Sequence, residues 1–118
     1  MAEAPLSIPS EIGTITVAPE AIGQIVGRVV AECYGVVGMG ARDRVLRLLP
    51  KNRALRGIAV RNEEGAVALD LHVVVAYGLN LAEVAATVRS RVAYEVERLT
   101  GLEVASVDVH IQDVKRTA

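Results

Sequence analysis

The stretch AVALDLHVVVAY, residues 66–77, decides the fold of this chain. Its odd-numbered positions carry branched apolar residues: Val67, Leu69, Leu71, Val73 and Val75. Between them stand mostly small or polar residues: Ala66, Ala68, Asp70, His72, Val74 and Ala76. Alternation with a period of two is typical of a β-strand that packs one face on a hydrophobic core. We therefore predict a strand here with one buried face and one bare face.

The next stretch predicts a helix and a second strand. Asn80, with Glu83 three residues later, has the arrangement of a helix N-cap, and Gly101 suits a left-handed C-terminal cap. Apolar residues between them recur at helical spacing: Leu81, Val84, Ala85, Val88, Val92, Val96 and Leu99. The run EVASVDVHIQDV, residues 103–114, then alternates like the first strand. A strand–helix–strand unit closes parallel and right-handed, which predicts a sheet covered by helices on one face.

The remaining segments add to the same layers. GTITV, residues 13–17, is a strand candidate, and a helix begins near Pro19, where a missing N–H costs nothing. Its apolar stripe is Ile22, Ile25, Val26, Val29, Val30 and Cys33. GIAVRN, residues 57–62, and the turn NEEG, residues 62–65, predict a hairpin with the long strand. The prediction is a two-layer α/β domain, with two main helices packed on one face of a mixed four- or five-stranded sheet.

The length of 118 residues predicts one domain. We assign residues 13–114 to it, residues 1–12 to a flexible N-terminal tail because Pro5 and Pro9 oppose regular structure, and residues 115–118 to a C-terminal tail. The chain lacks Phe and Trp and has only 3 Tyr, so stacking platforms for nucleic-acid bases are not expected. Cys33 is the single cysteine, which excludes an intramolecular disulfide and, on an apolar stripe, predicts a buried thiol. No apolar run approaches the roughly 20 residues of a membrane span, and no signal peptide is evident, so we expect a cytoplasmic protein.

A basic insertion occupies residues 41–56. Its positive side chains are Arg42, Arg44, Arg47, Lys51, Arg53 and Arg56, against one acidic residue, Asp43. Three interpretations are open: a solvated loop, a contact surface for anionic lipid or a protein partner, and a weak nucleic-acid contact through phosphates. The acidic balance of the rest of the chain argues against nucleic acid as a partner.

Enzymatic signatures are missing. The sequence has no Gly-rich phosphate-binding loop, no nucleophile elbow and no H-E-x-x-H zinc-binding motif, so no catalytic residue and no cofactor are predicted. Two D-x-H patterns, Asp70 with His72 and Asp108 with His110, lie on the bare side of two predicted strands. If the strands are neighbours, these four residues could converge as ligands of zinc or another transition metal, in a metal-binding protein or metal-dependent enzyme. The simpler interpretation is a polar surface that faces solvent or a subunit.

The bare sheet face also predicts association. It offers small or apolar side chains, with Val74 the largest, beside Asp70 and His72. Exposed surfaces of this kind favour self-association or docking of a partner, so we expect a homo-oligomer. No small-molecule substrate is expected.

The order of several short motifs resembles the bacterial alkaline shock protein family, also called the Gls general-stress or envelope-stress-response family. The motifs are G-x-I-x-V at 13–17, E-x-x-G-V-x-G-M at 32–39, V-x-Y-G at 75–78 and E-x-x-T-G-L-x-V-x-x-V-x-V at 97–109. The resemblance implies a small, cytoplasmic, non-enzymatic protein of cell-envelope homeostasis; some members of the family associate with the membrane through a partner, such as a membrane-anchored protein. It carries over no catalytic residue, and the Arg-rich insertion departs from the family pattern.

Overall fold

The computed structural model shows the predicted two-layer α/β domain. The structure describes residues 6–39 and 57–116. Along the chain the elements are β1 (Leu6–Ser10), β2 (Gly13–Val17), α1 (Pro19–Glu32), β3 (Val36–Met39), β4 (Ile58–Glu63), β5 (Ala66–Ala76), α2 (Leu81–Thr100) and β6 (Val104–Lys115). The basic insertion of residues 41–56 lies outside the described residues.

Strand β5 is the centre of a four-stranded mixed sheet. Along one edge it pairs with β4 and then with β3, both antiparallel, and along the other edge it pairs with β6 in parallel. The parallel pairing of β5 and β6 confirms the predicted strand–helix–strand unit. The β4–β5 hairpin is also confirmed, and its turn places Gly65 at a φ of 90°, which suits glycine.

The core fills the space between the sheet and both helices. On β5 the odd-numbered side chains are fully buried, and α1 and α2 each contribute a stripe of branched residues: Ile22, Val26, Val29 and Val30 from α1, and Val84, Val88, Val92 and Val96 from α2. The predicted apolar stripe of α2 is wrong at its two ends, because the side chains of Leu81 and Leu99 are exposed. They lie in the first and last turns of the helix, beyond the part that packs on the sheet.

Both predicted caps of α2 are present. The Asn80 side chain accepts a hydrogen bond from the Glu83 N–H at 3.1 Å, and Gly101 takes a left-handed φ of 77°. These caps fix where α2 begins and ends, and so where β6 can return beside β5.

The structure corrects the predicted N-terminal tail over part of its length. Residues Leu6–Ser10 form β1, which pairs antiparallel with β2, and the Leu6 side chain is only 1% exposed. Proline is tolerated on an edge strand, and in the described part of the chain β1 pairs along one edge only, so Pro9 does not prevent the pairing. At the other end, β6 extends to Lys115, and Arg116 lies over the Tyr77 ring at 5.0 Å, so residues 115 and 116 are not a free tail.

Candidate interaction surface

The sheet face that α1 and α2 leave uncovered is the candidate functional surface. We call it the open face, and define it by the even-numbered residues of β5 and the residues beside them on β4 and β6. The helices pack on the opposite face, where Leu69 and Leu71 are fully buried. The open face therefore holds the polar residues of the sheet that a core would exclude.

The register between β5 and β6 brings the two D-x-H patterns together. Asp70 lies opposite Asp108, and His72 lies opposite His110. The two imidazole rings stack, with centroids 4.8 Å apart and planes inclined by 18°. The adjacency that the sequence left open is thus present in the structure.

Strand β4 adds a cation that the sequence analysis did not single out. The guanidinium of Arg61 lies 3.2 Å from one carboxylate oxygen of Asp70 and donates to Glu63 at 2.9 Å. The second oxygen of Asp70 lies 3.4 Å from Nε2 of His110. One chain of polar contacts therefore crosses three strands, from β4 through β5 to β6.

This polar chain is a partly solvated surface network. Arg61 and His110 are about half exposed, and the Asp70 side chain is 24% exposed. Exposed ion pairs of this kind stabilise a fold by about 0–1 kcal/mol. The network therefore contributes little to holding the sheet together, and it fixes a pattern of charges and hydrogen-bonding groups on the open face.

The same geometry is a poor metal centre. The lone pair of an imidazole nitrogen lies in the plane of its ring, and two stacked, nearly parallel rings do not direct both lone pairs at one ion. Arg61 also places a positive charge beside Asp70. Within residues 6–39 and 57–116, no group of three or more His, Cys, Asp or Glu side chains is arranged to hold a metal ion.

The other end of the open face mixes apolar and charged residues. Val74 lies there, paired with Gly38 of β3 and Asp113 of β6, and is partly buried. Beside it, Val37 sits at the bulge between Val36 and Gly38 and is 45% exposed. The open face thus has a charged end around Asp70, and at its other end Val74 lies beside the exposed Asp113.

Cys33 belongs to the covered side of the molecule. It is buried, and its Sγ lies 3.4 Å from the Val29 carbonyl oxygen. Burial raises the pKa of the Cys33 thiol, while the nearby positive charge of Arg91 acts in the opposite direction. The thiol is therefore kept protonated at neutral pH, as expected of a cysteine that packs in a core.

Among the described residues, no helix is long and apolar enough to cross a membrane. The fold is a small two-layer α/β domain whose open face carries an ordered polar network. Its sequence matches, over residues 7–116, the family model of the alkaline shock proteins, which is described as having a cell envelope-related function. The chain therefore belongs to the alkaline shock protein family, and the resemblance seen in its motifs is confirmed.

Similar proteins come from two bacteria, and each bears the name of an uncharacterized protein. YloU of Bacillus subtilis strain 168 is 32% identical over 116 residues, which cover 95% of this chain and 97% of the relative. Spy1614 of Streptococcus pyogenes serotype M6 is 29% identical, with 93% and 94% covered. YqhY of Bacillus subtilis is 25% identical, with 90% and 80% covered. No solved structure matches the chain.

Proposed function

We propose that this envelope-related protein is a non-enzymatic module that associates with itself and uses its open face to dock on an envelope partner. The observation that carries the proposal is the position of Val74 and the Arg61–Asp70–His110 chain on the sheet face opposite both helices. A sheet face with a fixed polar network and a valine beside it presents a specific pattern to a partner, and its main-chain groups are already paired within the sheet.

The cell location follows from the same proposal. The protein acts in the cytoplasm, and it reaches the membrane through a membrane-anchored partner or through anionic lipid. The six basic residues of 41–56 supply the positive charge for such a contact. Their placement lies outside the described residues, so this part of the proposal rests on the sequence.

Light scattering coupled to size-exclusion chromatography tests self-association. The intact protein is compared with a variant in which the six basic residues are changed to Gln and with Val74→Lys. Lysine suits position 74 because Asp113 lies opposite and the long stem can reach solvent, so the fold is retained. Thr87→Lys, on the exposed face of α2, is the matched control for an added charge.

We expect an oligomer for the intact protein and for Thr87→Lys. A smaller species for Val74→Lys would assign assembly to the open face itself, whereas an unchanged oligomer would leave the open face to the envelope partner. Loss of assembly in the Gln variant would assign it to the basic insertion instead of the open face. A monomer for the intact protein at all concentrations would contradict self-association and leave only docking on another protein.

A further inference from the structure

Strand β6 has one paired edge and one edge that no strand of the described chain pairs with. On β5, the His72 N–H donates to the carbonyl oxygen of Gly57, the residue just before β4. The even-numbered residues of β5 therefore direct their backbone N–H and C=O groups towards β4. The odd-numbered residues direct theirs towards β6. In a parallel pair, each such residue bonds to the two residues that flank its register partner. The partners of Leu69, Leu71 and Val73 therefore direct their own backbone groups outward; they are Val107, Val109 and Ile111.

The two ends of this outer edge are closed by side chains of the chain itself. Glu97 accepts from the Val104 N–H at 3.1 Å, and Asp113 accepts from the Val114 N–H at 2.8 Å. Between them, no described side chain bonds to the outward backbone groups of Val107, Val109 or Ile111. An edge with a row of free N–H and C=O groups is a template for another strand.

A groove lies beside the same part of the edge. Its volume is about 320 Å³, and it is lined by residues of α2 and β6: Ala82, Ala85, Ala86, Arg89, Val107, Asp108, Val109 and His110. The alanine side chains are short, so a strand added to β6 has room for its own apolar side chains against α2. The free edge and the groove are separate observations that point to the same position.

We infer that the outer edge of β6 pairs antiparallel with β6 of a second copy of this chain, with Val109 on the two-fold axis. This inference rests on the proposed self-association and names the surface that performs it. In this register Val107 faces Ile111 of the second copy, and Asp108 faces His110 of the second copy. The two closed ends, Val104 and Val114, also lie opposite each other and mark the limits of the pairing.

Charge and symmetry select this pairing over the alternatives. A parallel pairing in register would set Asp108 against Asp108, a like-charge pair that destabilises a sheet. The antiparallel register instead sets acid against imidazole twice and apolar against apolar throughout the window. Val107, Val109 and Ile111 then each take part in a hydrogen-bonded pair, because their backbone groups all point outward. An edge that matches itself in this way fits a second copy better than an unrelated peptide.

Pairing at β6 joins the two sheets into one and leaves both open faces on the same side. The Arg61–Asp70–His110 chain of each copy then ends at the shared axis, beside Asp108 of the second copy. Such an interface is isologous, with the same residues contributed by both copies, and it closes at a dimer. The dimer presents a doubled open face to the envelope partner.

The first test is Val109→Pro, measured by sedimentation equilibrium on the full chain. The Val109 N–H points away from β5, so proline removes no bond of the internal ladder and circular dichroism should show a retained fold. We expect a monomer at concentrations where the unchanged protein is a dimer. A dimer of unchanged affinity would overturn the assignment to β6 while leaving self-association through another surface intact.

A charge exchange tests the register itself. Asp108→Lys alone and His110→Glu alone should each weaken the dimer several-fold, because each loses both Asp108–His110 pairs. Mixed in equal amounts, the two variants restore both pairs, Lys with Glu and His with Asp, so a heterodimer should form more tightly than either homodimer. Thr87→Lys should not change the affinity. The register is wrong if the mixture shows no preference for the heterodimer, and both this inference and self-association fail if the unchanged protein is a monomer throughout.

Discussion

Successive residues of strand β5 point to opposite faces of the sheet, and the two faces have opposite properties. The odd-numbered face is fully buried against α1 and α2, whereas the even-numbered face carries Asp70, His72 and the partly buried Val74. The backbone is common to both, so the difference comes from the side chains and from what covers them. The covered face therefore supplies the stability of this fold, while the open face is available for contacts. Substitutions on the two faces should therefore differ in how much stability they cost.

The largest loss of stability should come from the covered face. Leu71 is fully buried at the centre of the sheet, and Leu71→Ala should lower the free energy of unfolding by about 2–5 kcal/mol, since a cavity adds to the lost transfer energy. Urea denaturation measures this loss. Val74→Ala on the open face of the same strand is the control, and its loss should be clearly smaller. Equal losses at the two positions would break the distinction between the faces.

A second, smaller loss is expected where α1 gives way to β3. Gly35 has a φ of 93°, and a Cβ there would lie 2.8 Å from Cδ1 of Leu79. Gly35→Ala therefore combines backbone strain, of order 1–3 kcal/mol, with a close contact. Gly78 has a similar φ of 100° but open space around it, so Gly78→Ala isolates the strain. Thermal unfolding should rank Gly35→Ala as the less stable; equal stability of the two variants would show that Leu79 moves aside freely.

The smallest loss should come from the charged end of the open face. Asp70→Asn removes the carboxylate that joins Arg61 to His110 and should lower stability by no more than about 1 kcal/mol, and by less at high salt. Denaturation at two salt concentrations measures the change. A loss as large as that of Leu71→Ala would mean that the polar chain holds the fold, which would remove the reason to assign it to contacts.

The sequence predicts the parts of this fold whose signals are local. The period of β5, the stripe of α2 and the caps at Asn80 and Gly101 depend on neighbouring residues, and all appear in the structure. Strand β1 was missed because its pairing with β2 and the burial of Leu6 depend on distant residues, whereas Pro9 is a local signal against a strand. The exposed Leu81 and Leu99 show the same limit, since periodicity does not tell how far the sheet extends beneath a helix.

The candidate surface was predicted only in outline. The D-x-H patterns were visible in the sequence, but their stacking depends on a register that only the folded β5–β6 pair defines. Arg61 was missed, although the hairpin turn at residues 62–65 sets it opposite Ala68 and next to Asp70, which is the signal that could have found it. The free edge of β6 follows from strand order, which alternation alone does not give.

Hydrogen–deuterium exchange, compared between dilute and concentrated samples of the intact protein, tests most directly whether the sheet, and not the helices, makes the contacts between copies. We expect concentration to slow exchange at the amides of Val107, Val109 and Ile111, which point outward from β6, and to leave α1 unchanged. Protection that grows on α1, or no change anywhere in a sample that is oligomeric by mass, would contradict the division of the molecule into a stabilising side and a contact side.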